Sequence, residues 1–179
     1  MKSDTIAAIA TALSDAGIGI IRISGPEAIA VANRVVVNKK KEHTLKNWQT
    51  HTIHYGFVEE NGTILDEVMV SVMKAPRSYT TEDTVEINCH GGVLLTKRVL
   101  EAVLHAGARM AEPGEFTKRA FLSGRIDLSE AEAVMDLIQA KNQFSMQASI
   151  KQLRGSVAEK VKSLRAALLY EIAFIESAL

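Results

Sequence analysis

Two charged residues lie inside apolar runs of strand length, where burial of an unpaired charge is unfavourable. Arg22 follows the run Ile18-Gly19-Ile20-Ile21, and Glu86 lies between Val85 and Ile87. A charge in a mostly buried strand either points to water or has an ion-pair partner. A carboxylate can also accept two parallel hydrogen bonds from the edge of an aminopyrimidine-type ring, and an arginine can bind a carboxylate through two N–H groups. Both interpretations, a structural charge and a binding group, are open from these residues alone.

Positive charge also flanks Gly124, which is expected to end a short helix. Arg119 precedes this glycine, Arg125 follows it directly, and Asp127 is near enough in sequence to neutralise either arginine. Without further context, the pattern indicates that Arg125 is a capping or salt-bridging side chain.

Other reactive residue types occur without an obvious partner. His51 and His54 would point to opposite faces of a strand, so shared metal ligation is not expected. Cys89 is predicted to be a small core hydrophobe rather than a nucleophile paired with the neighbouring His90. The two glycines that follow His90 predict either a tight turn or a backbone that exposes its amides to an anion.

Composition excludes several classes of protein. The chain has 179 residues, 47% hydrophobic and 23% charged, and its formal net charge is zero. Zero net charge argues against binding of polyanions mainly through bulk electrostatics. A single cysteine cannot form an intrachain disulfide, which agrees with a reducing compartment. The sequence holds no apolar run of membrane-spanning length, P-loop, paired-cysteine zinc motif or G-x-S-x-G motif.

The elements that must position these residues form an α+β first part. Short apolar runs predict strands at 6–11, 18–24, 50–58, 63–74, 84–89 and 109–111, and Asn61-Gly62 predicts a hairpin turn between two of them. Helices are predicted at 26–37, 93–105 and 116–123. Ser24 and Glu27 match a capping box at the start of the first helix.

The last part of the chain is helical. Ser129 and Glu132 match another capping box. An apolar stripe from Met146 to Leu179 predicts one nearly straight helix about 50 Å long, which Gly155 weakens locally. Because one short helix cannot bury this stripe, we expect the chain to be the N-terminal piece of a longer protein.

Several blocks of this sequence together resemble the N-terminal region of the MnmE family of tRNA-modification GTPases, also called TrmE. The blocks match in order and spacing across about residues 5–140, and the last of them is long and specific. They are Arg22-Ile23-Ser24-Gly25, the loop Ser78-Tyr79-Thr80-Thr81-Glu82-Asp83, Glu86 with His90-Gly91-Gly92, and the block that runs from Pro113-Gly114-Glu115-Phe116-Thr117 to Leu128.

The resemblance implies a specific architecture and ligand. Residues 1–119 would form a folate-binding and dimerisation domain similar to the tetrahydrofolate-binding domains of aminomethyltransferases. Residues 120–179 would begin a helical domain whose G domain and C-terminal helices lie outside this chain. The family's folate-contacting positions fall on Arg22, Glu86 and Arg125, and the expected ligand is 5-formyl-tetrahydrofolate or another one-carbon tetrahydrofolate. Glu86 suits the N–H edge of the pterin, whereas the two arginines suit anionic or carbonyl groups.

For the whole protein, the resemblance implies a GTP-hydrolysing enzyme that modifies C5 of the wobble uridine of tRNA. It would act as a cytoplasmic homodimer, away from membranes, with a flavin-dependent GidA/MnmG-type partner. GTP, Mg and K would bind only in the missing G domain, and no catalytic residue or metal site is expected in this segment.

Three departures from the family pattern leave other interpretations open. The loop Thr11–Gly17 lacks the usual prolines, Thr81 stands where glycine is common, and Arg125 replaces a frequent lysine. A scaffold that dimerises without a ligand is the main alternative. An unrelated α/β enzyme using Cys89 or His90 is the other, and it requires these two side chains to share a cleft.

Overall fold

The computed structural model describes residues 4–177. The chain divides into two compact units, Met1–Arg119 and Ala120–Leu179. The first unit contains seven strands, β1 (Ile6–Ile9), β2 (Gly19–Ser24), β3 (Val36–Val37), β4 (Thr52–Glu60), β5 (Thr63–Met73), β6 (Thr84–Cys89) and β7 (Arg109–Met110). The helices of this part of the chain are α1 (Ala28–Val35), α2 (Val93–His105) and α3 (Glu115–Leu122). The alternation of strands and helices confirms the predicted α+β class.

The seven strands form one sheet with the order β3-β4-β5-β6-β2-β1-β7. Every neighbouring pair is antiparallel except β1 and β7, which are parallel. The predicted hairpin between β4 and β5 is confirmed, and both Asn61 and Gly62 have positive φ (51° and 81°), as a two-residue turn of this kind requires.

One face of the sheet carries the core. Alternate residues of the central strands point to this face and are almost completely buried, as with Ile21 and Ile23 in β2 and Val85 and Ile87 in β6. Helices α1 and α2 contact several strands and supply the other side of the core through small apolar residues such as Ala32 and Val99. The opposite face of the sheet, called the open face below, holds the intervening residues of the same strands.

The start of α1 differs from the prediction. The helix begins at Ala28 rather than Pro26, and its N-cap Glu27 makes no capping hydrogen bond through its side chain. The predicted capping box is wrong because its serine is used elsewhere: the Ser24 hydroxyl bonds to Thr80 (2.6 Å) and donates to Glu82 (2.9 Å). The last two residues predicted as helix form the short strand β3 instead.

The second unit contains α4 (Leu128–Gln139), α5 (Gln143–Leu153) and α6 (Ser156–Ser177). The capping box of α4 lies two residues before the predicted one, because Asp127 accepts from the Glu130 amide and the Glu130 carboxylate accepts from the Asp127 amide. The single long helix is also wrong. Gly155, at φ 79°, ends the helical path, so the apolar stripe is divided between α5 and α6. The predicted end of that stripe, Leu179, lies outside the described residues.

Candidate functional site

The two charges predicted inside apolar strands lie side by side on the open face of the sheet. Arg22 in β2 is in register with Glu86 in β6, and on its other side it faces Ala8 of β1. Ser71 of β5 is the next neighbour of Glu86. Because side chains alternate along a strand, the same register that buries Ile21 and Ile23 places Arg22 on the opposite face.

Arg22 and Glu86 form an ion pair that remains accessible. The Arg22 Nε donates to Glu86 Oε1 at 2.7 Å, and the two side chains are 31% and 22% exposed. Across residues 4–177, neither Glu86 Oε2 nor the two terminal guanidinium nitrogens of Arg22 make a further hydrogen bond. The geometry is therefore compatible with both the structural and the binding interpretation. Arg22 and Glu86 bond to each other, but each keeps donor or acceptor atoms that can bond to a further group.

Two aromatic rings accompany Arg22. Its Cζ lies 5.6 Å from the centroid of the Phe116 ring and 6.0 Å from that of Tyr79, within the range of a cation–π contact. Both aromatic residues are half-buried. The Tyr79 hydroxyl is 3.0 Å from Thr117 Oγ1, so the loop before β6 is bonded to α3 beside the ion pair.

The two segments that carry these rings also take part in a network of ion pairs. The guanidinium of Arg119, only 12% exposed, donates to Asp4 (2.7 Å), Glu82 (3.1 Å) and Glu115 (3.0 Å). Arg109 binds two of the same carboxylates, Asp4 and Glu115, at 2.7 Å each. Hydrogen bonds from Arg109 lower the pKa of the Glu115 carboxyl to about 2, and the same guanidinium lowers that of Asp4 to about 2.

The loop that carries Tyr79 has a strained backbone. Thr81 has φ 64°, a left-handed conformation that is unfavourable for a β-branched residue. Thr80, next to it, is buried and bonded to Ser24 in β2. Ser78 donates its hydroxyl hydrogen to the Glu82 carbonyl at 2.6 Å. These bonds on both sides keep Thr81 in a conformation that glycine would adopt without strain.

Arg125 belongs to the second unit and is exposed there. Its backbone amide donates to the Ala120 carbonyl at 3.0 Å, in the turn where Gly124 has φ 75°. With Asp127 and Lys162 it lines a cavity of about 500 Å³ formed by this unit. The carboxylate of Asp127 accepts the capping bonds from Ser129 and Glu130.

The remaining reactive residues have structural environments. Cys89 is buried and donates its thiol hydrogen to the Gly19 carbonyl, and burial raises the pKa of this thiol. His90 is exposed and bonded to Asp66 at 2.8 Å, a contact that raises the pKa of the imidazole. His54 stacks on Trp48 with ring centroids 3.9 Å apart. Within the described residues, no group of His, Cys, Asp and Glu could hold a metal ion.

Gly91 is required for a close approach between backbone segments. A Cβ there would lie 2.5 Å from the Ala16 carbonyl oxygen and 2.7 Å from the Ile18 carbonyl carbon, and the Ala16 amide donates to the Gly91 carbonyl. A Cβ on Gly92 would meet nothing within 4 Å. Gly91 therefore packs the turn closely against the backbone of residues 16–18, which favours the tight-turn interpretation over the anion site.

Three residues near the ion pair were not singled out as site residues from sequence. Tyr79 and Phe116 stand in the motif blocks without any pattern that marks them as neighbours of Arg22, and Arg119 was interpreted only as positive charge near Gly124. Their sequence separation from Arg22 is the reason, since only the folded sheet brings loop, helix and strand together.

Comparison with known proteins identifies the family. Residues 5–125 match the family described as "GTP-binding protein TrmE N-terminus", and residues 128–179 match the MnmE helical domain. A tRNA modification GTPase MnmE from Lachnoclostridium phytofermentans is 59% identical over 179 residues, which are all of this chain and 39% of that protein. Proteins of the same name from Listeria welshimeri (53% over 176 residues) and Carboxydothermus hydrogenoformans (52% over 178 residues) are each matched over 98% of this chain and 38% of their own length.

This chain thus spans about two fifths of the length of the curated relatives it matches. None of the helices described within residues 4–177 is both long and apolar enough to cross a bilayer. The matches to the N-terminal and helical domain families, together with identities above 50% along nearly the whole chain, show that the chain belongs to the TrmE/MnmE family.

Proposed function

We propose that this chain binds a one-carbon tetrahydrofolate, such as 5-formyl-tetrahydrofolate, and dimerises through its first part. The observation that carries the proposal is the accessible Arg22–Glu86 pair on the open face of the sheet. Both side chains are accessible and keep donors and acceptors that do not bond to each other, so a ligand can reach them and replace the water there.

The chemistry of the pair fits this ligand. Each oxygen of the Glu86 carboxylate can accept more than one hydrogen bond, so the residue can remain bonded to Arg22 and still accept from the N–H edge of a pterin. The terminal nitrogens of Arg22 can donate to carbonyl or carboxylate groups of the folate. The ligand would supply the one-carbon unit, whereas these residues would bind and orient it.

The rest of the assignment follows the family. We propose Arg125 as a further folate contact, residues 1–119 as the folate-binding and dimerisation domain, and residues 120–179 as the start of the helical domain. The first domain would share its fold with the tetrahydrofolate-binding domains of aminomethyltransferases. The name of these relatives, tRNA modification GTPase, supports a role for the full-length protein in tRNA modification with GTP hydrolysis.

In that role the full-length protein would act on C5 of the wobble uridine with a flavin-dependent GidA/MnmG-type partner. GTP, Mg and K would bind in the G domain, outside this chain, and tRNA as a substrate places the complex in the cytoplasm.

Isothermal titration calorimetry of the 179-residue chain with 5-formyl-tetrahydrofolate tests the proposal. We expect the wild type to bind and Glu86→Ala to lose binding. Glu67→Ala is the matched control, because Glu67 lies on the same sheet face in β5 but is remote in register from Arg22. Loss of binding in both variants, or in neither, would contradict the assignment of Glu86.

The alternative of a ligand-free scaffold makes a different prediction. Its support is the Thr11–Gly17 loop, which lacks the family's prolines and is largely exposed. A wild-type chain that is folded and dimeric but shows no heat of folate binding at any concentration tested would favour the scaffold.

A further inference from the structure

The geometry points to a positioning role for Arg119: we propose that it fixes Arg22 for ligand binding by bonding the Tyr79 loop to α3. The inference rests on the proposed folate site. Among residues 4–177, Arg119 makes its ion pairs with Asp4, Glu82 and Glu115 rather than with Glu86, and it would act on Arg22 through two aromatic side chains.

Arg22 lies next to aromatic rings from two separate segments of the chain. Tyr79 belongs to the loop before β6, and Phe116 belongs to α3, some 37 residues further along the chain. Both rings lie within 6.0 Å of the guanidinium carbon. A long flexible side chain that is 31% exposed would otherwise sample several rotamers, so the two rings restrict its orientation.

Arg119 connects those two segments by its hydrogen bonds. It lies one helical turn after Phe116 and Glu115, and its Nη1 donates to both Glu82 oxygens at 3.1 and 3.2 Å. Glu82 belongs to the same loop as Tyr79, and it also accepts a hydrogen bond from the Ser24 hydroxyl of β2 at 2.9 Å. The guanidinium therefore fixes the distance between loop and helix, and with it the separation of the two rings.

The acceptors around Arg119 match the several N–H donors of a guanidinium. The side chain donates to three carboxylates and also to the Asp4 carbonyl at 2.7 Å. A lysine has a single nitrogen and cannot satisfy acceptors spread over this arc. Thr117 reinforces the connection without any charge, through its hydrogen bond to the Tyr79 hydroxyl.

The chain offers a matched control in Arg109. This arginine binds Asp4 and Glu115, as Arg119 does, but it makes no ion pair with Glu82 in the described part of the chain. Arg109→Gln therefore removes the same charge from the same acidic cluster while leaving the contact between Arg119 and the loop. A general loss of electrostatic stability affects both variants, whereas a positioning effect is confined to Arg119.

The test is a double-mutant cycle measured by calorimetric titration with 5-formyl-tetrahydrofolate. We expect Arg119→Gln to weaken binding by about tenfold or more, since misplacement of a binding group by a fraction of an ångström to an ångström has effects of this size. Arg109→Gln should change the affinity less than threefold. In an Arg22→Ala background, adding Arg119→Gln should cause little further weakening, because the group that it positions is gone.

A second readout does not depend on the ligand. The Arg22 Nε–H resonance in NMR spectra reports the hydrogen bond to Glu86 and the ring currents of both aromatic side chains. We expect Arg119→Gln to shift it and Arg109→Gln to leave it in place. Thr117→Val, a near-isosteric change that keeps every charge, should shift it in the same direction and weaken folate binding severalfold. It serves in place of Arg119→Gln if that variant does not fold.

The outcomes separate this inference from the function on which it rests. If the wild type does not bind folate, the proposed function fails. Whether or not folate binds, an Arg22 Nε–H resonance that is unchanged in Arg119→Gln and Thr117→Val overturns the positioning role. If the wild type binds and Glu86→Ala does not, equal effects of Arg119→Gln and Arg109→Gln overturn the positioning role alone. Additive effects of Arg22→Ala and Arg119→Gln overturn it as well.

Discussion

At the scale of single residues, the loop that carries Tyr79 holds a strained residue beside the candidate site. Thr81 has a left-handed backbone conformation although its side chain is branched at Cβ. Strain of this kind persists only where the surroundings impose it, and here the bonds of Thr80 and Ser78 do so. The sequence marked this position as a departure because glycine is common there in the family, but it did not indicate which bonds hold Thr81 in this conformation.

Thr81→Gly should stabilise the chain by up to about 2 kcal/mol. Relief of a positive φ at a branched residue is worth about 1–3 kcal/mol, and the greater unfolded-state freedom of glycine offsets about 1 kcal/mol of it. Urea denaturation followed by circular dichroism measures the difference. The neighbouring Thr80→Gly should instead destabilise the chain, since it removes a buried hydroxyl bonded to Ser24. A lower urea midpoint for Thr81→Gly would show that the threonine is not strained.

The two glycines after His90 give a second contrast between adjacent residues. Gly91→Ala should destabilise the chain by about 2 kcal/mol or more, because its Cβ would overlap the backbone of residues 16–18, which cannot move aside as a flexible side chain would. Gly92→Ala should cost less, about 1 kcal/mol at most, since the added methyl group meets nothing and only the preference for glycine over alanine at the N-cap is lost. Thermal unfolding of both variants checks the contrast, and equal losses would contradict it.

At the scale of elements, strands were easier to predict than helix ends. Alternating apolar residues and the Asn61-Gly62 turn predicted the β4–β5 hairpin and a further strand at β6, and the structure confirms them. The helix boundaries failed where a polar side chain had a competing partner: Ser24 bonds across the sheet, and Asp127 rather than Ser129 caps α4. Such competition is decided by tertiary contacts that one stretch of sequence does not contain.

The interruption between α5 and α6 depends on one glycine. Gly155 has φ 79°, and a Cβ there would lie 3.4 Å from Glu130 Oε1. Gly155→Ala should therefore lower stability by about 1–2 kcal/mol, the cost of a left-handed conformation for a residue with a Cβ. Urea denaturation measures it, and Ala158→Gly, a substitution within α6, provides a reference for helix propensity alone. A gain in stability for Gly155→Ala would show that the two helices can merge.

The ion-pair network that holds α3 should make stability fall in acid. Contacts with arginine lower the pKa of both Asp4 and Glu115 to about 2 in the folded chain, from ordinary values of 3.8 and 4.5. A depressed carboxyl pKa stabilises the fold above the ordinary value, and this contribution is lost as pH falls through the folded value. We expect urea midpoints to decrease between pH 4.5 and 2, and the decrease to be smaller in Glu115→Gln. An identical pH dependence in wild type and variant would contradict this origin.

At the scale of the whole molecule, the open face carries apolar residues as well as the candidate site. Tyr55 in β4 is opposite Met69 in β5, and with Ile53 they are 39%, 44% and 62% exposed. The proposed dimerisation would cover such a surface. The sequence could predict the two strands and the charged residue within each, but not that Arg22 and Glu86 lie side by side in register.

If this face forms the dimer, Met69→Glu should shift the chain toward monomer in sedimentation-velocity experiments. A carboxylate placed among apolar residues must be desolvated when they are buried, which disfavours association by several kcal/mol. Leu94→Glu is the control, because Leu94 is 77% exposed on α2, which packs on the other side of the sheet. Dissociation by Leu94→Glu alone would move the interface to the helical side.

The place of β1 in the sheet has a consequence for the protein as it is synthesised. This strand lies between β2 and β7, and Asp4 just before it is bonded to Arg109 and Arg119, more than 100 residues later. The earliest part of the chain therefore cannot complete its pairing until α3 has left the ribosome. Until then the emerging polypeptide holds a strand that is paired on one side only, so the topology of this domain delays closure of its sheet during synthesis.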